Sequence, residues 1–229
     1  MTFNDQTSVL WGVCVIVAGA LACSSPAAPS APGVQMHNTM NASGDKRILE
    51  LRYSYAAPSN AFSEIYDDFT SATTTNVQAI AWQGVYCDQR FLVPLAVPQP
   101  AARSFRVAVF PDLNDSPPVL TTTPIAQFTL SPADAHEELE FSFVSNDAVT
   151  CGSKYPASFA YYKYSAMLPA PVQVSAGVKY WLRIQAELSN TEILWGWRVG
   201  LLDNAKTVMA IGGGTRSTYA TDCAFALNP

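Results

Sequence analysis

Two histidines, His37 and His136, are the only imidazoles in this 229-residue chain. Nucleophilic catalysis needs a base oriented beside its nucleophile. His37 lies in a stretch rich in Pro, Ala and Ser, and His136 lies in the polar run Asp134–Glu140 (DAHEELE) that leads into a strand. No G-x-S-x-G elbow and no Cys-His signature accompanies either, so His136 reads as a surface histidine. A glycosidase needs only two carboxylates at a set separation. Asp67, Asp68, Glu138, Glu140, Glu187 and Glu192 qualify by type, but no spacing selects a pair. Asp112-x-Asn114-x-Ser116 puts oxygen donors at alternate positions, as a calcium loop does, yet Pro117 takes the glycine position and the closing Glu is missing. A turn between strands explains it better. Asp67-Asp68 fits either a structural calcium site or a turn cap. The expectation is a protein that is not an enzyme and carries no cofactor or metal.

Aromatic side chains are the better candidates for binding. Sugar rings stack on exposed Trp or Tyr faces while nearby amides and acids take the hydroxyls. Tyr86, Tyr155, Tyr161, Tyr162, Trp195 and Trp197 are the residues selected for such a site. Trp195 and Trp197 share a strand face by their spacing of two, which equally describes two layers of a core. The tyrosines from Tyr155 onward lie in a looser, more polar stretch.

Five cysteines occur. Cys87, Cys151 and Cys223 fall in the folded part, with no CxxC or Cys/His clustering to suggest zinc. Cys223, Phe225 and Leu227 share one strand face, where a Cys behaves as a small hydrophobe. Cys87 and Cys151 occupy strand-end and loop positions. The expectation is a Cys87–Cys151 disulfide with a buried thiol at Cys223, although three cysteines allow three pairings.

The elements that would position these groups are strands. Period-2 alternation recurs in Glu138–Val144, where Leu139, Phe141 and Phe143 align on one face. In Tyr180–Leu188, Tyr180, Leu182, Ile184, Ala186 and Leu188 face one way and Trp181, Arg183, Gln185 and Glu187 the other. Ser104–Phe110 aligns Phe105, Val107 and Val109. Leu49–Tyr55, Val77–Trp82, Ile125–Leu130, Phe159–Tyr164, Leu194–Leu201, Thr207–Ile211 and Cys223–Leu227 are further strands. Turn residues separate them, as at Pro111–Asp115, Ser175–Gly177, Asp203-Asn204 and Gly212–Gly214. No stretch of ten or more residues carries a helical stripe. Short strands at such spacing predict an all-β fold, an antiparallel sandwich of jelly-roll type.

Outside the domain the N-terminus is the most informative segment. Val9–Ala22 (VLWGVCVIVAGALA) is uncharged over fourteen residues, which suits a signal-peptide h-region and falls short of the roughly 20 residues needed to span a bilayer. Ala20-Leu21-Ala22 fits a cleavage site, and Cys23 follows at once. A small, apolar run ending in Cys resembles the lipobox of bacterial lipoproteins, which implies lipidation of Cys23. Ala20 stands where that motif has Leu, and the n-region holds Asp5 without Lys or Arg. Residues 1–22 are thus expected as signal peptide and 23–45 as a solvated tether without apolar periodicity. Residues 46–229 form one domain. The net charge of −5, with scattered bases, excludes the electrostatic footprint of a nucleic-acid binder.

A series of short motifs runs through the domain in order. These are Asp67-Asp68-Phe69, Trp82-Gln83-Gly84, Phe105-x-Val107-x-Val109-Phe110-x-Asp112, Ala176-Gly177-x-x-Tyr180-Trp181-Leu182-x-Ile184, Trp195-Gly196-Trp197 and Asp222–Leu227. The series resembles an uncharacterised β-sandwich module of bacterial extracellular proteins, often carried with PEP-CTERM-type sorting tails. Cys223 stands where that module has an ordinary apolar residue, and no sorting tail precedes Pro229, which would leave the N-terminal lipid as anchor. The resemblance implies a secreted, non-catalytic module. The reading is an exported, lipid-anchored cell-envelope sandwich, alternatively secreted, that binds a ligand such as a glycan or packs against an envelope protein. The rival readings are a structural domain with no small ligand and a jelly-roll hydrolase.

Overall fold

The computed structural model describes residues 51–57, 62–88, 102–114, 118–119, 121–145, 157–189, 191, 193–200, 206–212 and 215–229. Cys23, Cys151 and Tyr155 lie outside them. The described chain is all β, in two sheets that face one another. Its strands are β1 (Leu51–Tyr53), β2 (Tyr55–Ala56), β3 (Phe62–Thr70), β4 (Thr75–Asp88), β5 (Ala102–Pro111), β6 (Ala126–Leu130), β7 (Glu138–Ser145), β8 (Ala157–Val174), β9 (Lys179–Leu188), β10 (Ile193–Arg198), β11 (Thr207–Ile211), β12 (Thr215–Tyr219) and β13 (Phe225–Asn228). The first sheet has the order β1-β10-β4-β8-β7, with β13 also paired to β4; the second runs β12-β11-β3-β2-β9-β5-β6, and β3 also pairs directly with β9. The pairings are antiparallel except β2 with β9 and one isolated bridge. The chain passes repeatedly from one sheet to the other, as in the sandwich expected from sequence.

The core is aromatic. Trp82 lies flat on Tyr164 with ring centroids 4.9 Å apart and 5° between planes, and Phe105 of the opposite sheet meets Trp82, Tyr164 and Trp195 edge-on at 4.9–5.6 Å. Such pairs add about 0.5–1.5 kcal/mol each beyond the apolar area they bury. Trp195 fits because position 84 is glycine. A β-carbon built there would stand 2.4 Å from the indole ring.

Two polar joins connect the sheets. Ser54 sits at the corner between β1 and β2. Its N–H donates to Trp195 O at 3.1 Å in the first sheet, and its carbonyl accepts the Ala186 N–H at 3.0 Å in the second. Its hydroxyl donates to Ile184 O and accepts from Ile65 N–H. Asp67, on the inner face of β3, accepts the Cys223 N–H at 2.6 Å from the segment that leads into β13.

Both outer faces also carry buried side chains. On the seven-stranded sheet, Tyr66, Ala108, Phe110, Trp181, Val208 and Ala210 form a second cluster. Trp181, on the face opposite Tyr180 and Leu182 as its strand position requires, is 0% exposed. Its indole N–H donates to Asp112 Oδ1 at 2.8 Å, and the Lys206 ammonium lies over its ring at 5.6 Å. Arg216 of β12 donates to Pro118 O, so the β5–β6 connection reaches the far edge of this sheet.

Three details depart from the sequence expectations. Leu139 and Phe141 do not share a face, because a bulge between them shifts the register: Leu139 pairs with inward-facing Tyr162 and Phe141 with outward-facing Tyr161. β4 and β8 are longer than their apolar runs suggest. β8 also carries a wide irregularity, since Val77 pairs with Val172 while Ala79 pairs with Met167. Pro169 and Pro171 fall within it, where lost N–H donors cost least. Cys223 is a buried free thiol, as expected.

Replacing Gly84 by Ala tests the Trp195 seat. Trp195 is fully buried and hydrogen-bonded, so it has nowhere to yield, and overpacking of this kind costs about 1–3 kcal/mol. The urea midpoint of Gly84→Ala should fall accordingly; an unchanged midpoint would show that the ring moves freely.

Candidate functional site

The residues selected from sequence divide between the two faces of the six-stranded sheet. Alternation along β4, β8 and β10 sends Tyr86, Tyr162, Trp195 and Trp197 inward and Tyr161 outward. All five are buried, from 0% exposure at Tyr86, Trp195 and Trp197 to 3% at Tyr162. The stacking role expected of them needs an open ring face, and each ring is instead covered by neighbours. The polar look of the tyrosine-rich segment misleads because its rings are packed among neighbouring aromatic and aliphatic side chains.

On the inner side these residues surround a carboxyl group. Glu137 enters from the turn between β6 and β7, which is pinned by Ala135 N–H to Ser131 O at 2.9 Å and by Ser165 N–H to Ala135 O at 2.9 Å. Glu137 Oε2 accepts the Tyr86 hydroxyl at 2.8 Å. Tyr164 stands nearby, and its oxygen accepts the Trp195 indole N–H at 3.1 Å. Burial raises the Glu137 carboxyl above its usual range against the opposing effect of those phenols. Burial, followed by the charge of Glu137, raises Tyr86 and Tyr162 well above an ordinary phenol. The Tyr162 hydroxyl is buried with no hydrogen-bond partner.

A carboxyl with a raised pKa among aromatics is the signature of a general acid. A general acid must also reach a substrate. Here the carboxyl is tied to Tyr86, which faces inward. The arrangement suits a polar clasp that fixes the β6–β7 turn to the core. Sequence reasoning missed Glu137, masked by three other acids in Asp134–Glu140, and the spacing of Tyr162 and Tyr164 was the signal pointing inward to it.

The outer side offers a more accessible group. Phe141, 36% exposed, stacks on Tyr161 at 4.4 Å and 11°. The Arg198 guanidinium lies over the Tyr161 ring at 5.4 Å and reaches Gln83 Oε1 at 3.4 Å and Glu140 Oε2 at 3.7 Å. Lys163, half exposed, joins Glu140 at 3.3 Å. Beneath lie Val85, Cys87, Phe159 and Tyr161. Amide, guanidinium, ammonium and an aromatic ring thus meet on one sheet face, a mixture suited to polar ligands or to a protein surface.

Asp67 and Asp68 neither cap a turn nor share one environment. Asp67 points into the sandwich and Asp68 outward, where it pairs with Lys179 at 3.2 Å. Asn114, with φ of 60°, makes the turn after β5, and Asp112 serves Trp181. His136 is exposed, with φ of 41°. Among the described residues no cluster of three or more His, Cys, Asp and Glu side chains can hold a metal ion.

No curated protein and no solved structure matches the chain. Residues 49–218 match a family described as a domain of unknown function, DUF7901, and the protein belongs to that family.

Proposed function

We propose that the protein is an exported, non-catalytic structural domain of the cell envelope, held at the membrane by a lipid on Cys23 and set off from it by residues 23–45. One observation supports the structural reading above the rest: the groups with chemistry to offer are engaged with one another inside the sandwich. Glu137 is held by Tyr86, Trp195 by Tyr164, and Trp197 by Ala224 O at 3.0 Å. A sandwich set off by a segment rich in Pro, Ala and Ser suits contact with other envelope components.

Glycan binding is the second reading, favoured by the half-open Phe141–Tyr161 stack with Lys163, Glu140 and Arg198 beside it. A glycan-array screen of residues 46–229 separates the two. The structural reading expects no sugar retained above background. Retention abolished by Phe141→Ala, with the fold intact by circular dichroism, would replace it with glycan binding on this face.

The anchor has its own test. Cys23→Ala should move the protein from the membrane fraction to the soluble one, or leave an uncut precursor. Mass spectrometry finding an unmodified N-terminus at or beyond Cys23 would rule the lipid out.

A Cys87–Cys151 disulfide accompanies this reading. Its supports are the free thiol of Cys223 and the register. Cys87 pairs with Phe159, two residues from Ala157, and Ala157 pairs with Ser145 across the mouth of the connection that carries Cys151. Closing so long a loop stabilises by up to about 4 kcal/mol through chain entropy. A non-reducing peptide map should link the peptides of Cys87 and Cys151; finding Cys223 in the link would refute the pair.

A further inference from the structure

We propose that Asp67 is the protonated member of a buried carboxyl pair with Asp222, so that the join between the sheets weakens when the pH rises. Both residues are 0% exposed. Asp67 uses Oδ2 to accept the Cys223 N–H, while Oδ1 is buried with no hydrogen-bond partner. Asp222 Oδ1 accepts the Lys206 main-chain N–H at 3.1 Å. A carboxylate sealed from water needs a cation, a set of donors or a proton.

Three cations among the described residues have partners on the outer faces. The Lys206 ammonium lies over Trp181 on the outer face, Lys179 pairs with Asp68 on that same face, and Arg198 turns to Glu140 and Gln83 on the outer face of the other sheet. The residues paired with Asp67 across its own sheet are uncharged: Thr207 on β11 and Leu182 on β9. The Thr207 hydroxyl donates to Thr221 O, and Thr221 Oγ1 is also buried without a partner. Among the described residues, the other titratable groups beside it are the Cys223 thiol, Asp222 and, on its own strand, Asp68. A proton on Asp67 turns Oδ1 from an unpaired acceptor into a donor in a region of acceptors.

Burial raises the Asp67 carboxyl well above its ordinary range; the Cys223 N–H opposes this, and the charges of Asp222 and Asp68 add to it. Between the pKa of an unfolded Asp, about 4, and this raised value, the folded protein binds more protons than the unfolded chain, so stability falls as pH rises through that window. Glu137, also raised, contributes a slope of the same sign, and the difference between variants isolates Asp67.

Asn at position 67 mimics the neutral acid, with one oxygen for the Cys223 N–H and an amide N–H₂ in place of the acid proton. Urea midpoints of the wild-type chain, Asp67→Asn and Asp67→Ala should be measured from about pH 5 to about pH 9, with calcium chloride and with a chelator as separate arms. The wild type should lose stability toward alkaline pH. Asp67→Asn should match it on the acid side, exceed it on the alkaline side and show a shallower slope. Asp67→Ala, which orphans the Cys223 N–H, should be weaker throughout. A constant gap between wild type and Asp67→Asn at every pH would overturn the proposal, as would failure of the Asn variant to fold. A calcium-dependent midpoint, lost in Asp67→Asn, would overturn it in favour of a bound cation.

Discussion

The close approach of the Trp195 ring to Gly84 governs the centre of this sandwich. Because position 84 lacks a β-carbon, the indole lies down on β4 instead of standing off it. In that position its N–H meets the Tyr164 hydroxyl, its face meets Phe105 from the opposite sheet, and Tyr164 is carried flat against Trp82. Tyr164 meets Tyr162, Tyr162 meets Tyr86 edge-on, and the Tyr86 hydroxyl donates to Glu137. A single steric allowance therefore leads through four aromatic residues to a turn remote in sequence. The Trp82-Gln83-Gly84 and Trp195-Gly196-Trp197 motifs are two halves of this one contact, which accounts for their composition without any ligand.

Large rings make a core wide, and a wide core separates the backbones it joins. The polar joins at Ser54 and Asp67 act where the chain itself crosses that gap. Ser54 satisfies main-chain groups of both sheets within one residue and so turns the corner without leaving a buried donor or acceptor open. Asp67 works differently: a side chain from one sheet takes a main-chain donor from the segment feeding the other. The first join is neutral at all pH values, and the second is built from an ionisable group. The two sides of the sandwich are thus held by joins of different chemical character.

The architecture was legible in the sequence wherever one strand face is apolar and the other polar. Tyr180–Leu188 shows this alternation and forms β9; Ser104–Phe110 shows it and lies within β5. The pattern fails where both faces are covered. Phe62–Thr70 (FSEIYDDFT) carries three acids and no clean alternation, yet it is a central strand whose Glu64 is paired with Arg183, Asp68 with Lys179 and Asp67 with Cys223. Acids read as surface groups were interior ones with partners contributed by distant strands. The binding residues suffered the reverse error. Tyrosine hydroxyls suggested exposure at Tyr161 and Tyr162, but a β-sheet buries a phenol readily when a charged neighbour lies across the strand, as Arg198 does at Tyr161. Period-2 spacing separates the two faces of a strand; it does not say whether solvent or another layer lies beyond either.

The family match covers residues 49–218, whereas the folding unit extends further. β13 (Phe225–Asn228) pairs with the Ala79–Trp82 stretch of β4, the edge that β10 leaves open because its own pairing begins at Gly84. The segment before it supplies the Ala224 carbonyl to both Gln83 N–H and the Trp197 indole, and the Cys223 N–H to Asp67. Phe225 fills the core against Phe69 and Trp197. A sandwich ended at residue 218 would expose four residues of β4 edge, orphan an indole donor and the Asp67 carboxyl group, and open the core beside Phe69. Unpaired buried groups of this kind each cost about 1–3 kcal/mol, a large share of a typical domain's stability. The physical domain therefore includes Asp222–Leu227, the same stretch whose motif recurs last in the sequence series, and its role there is to close the sandwich that Gly84 and Trp195 organise.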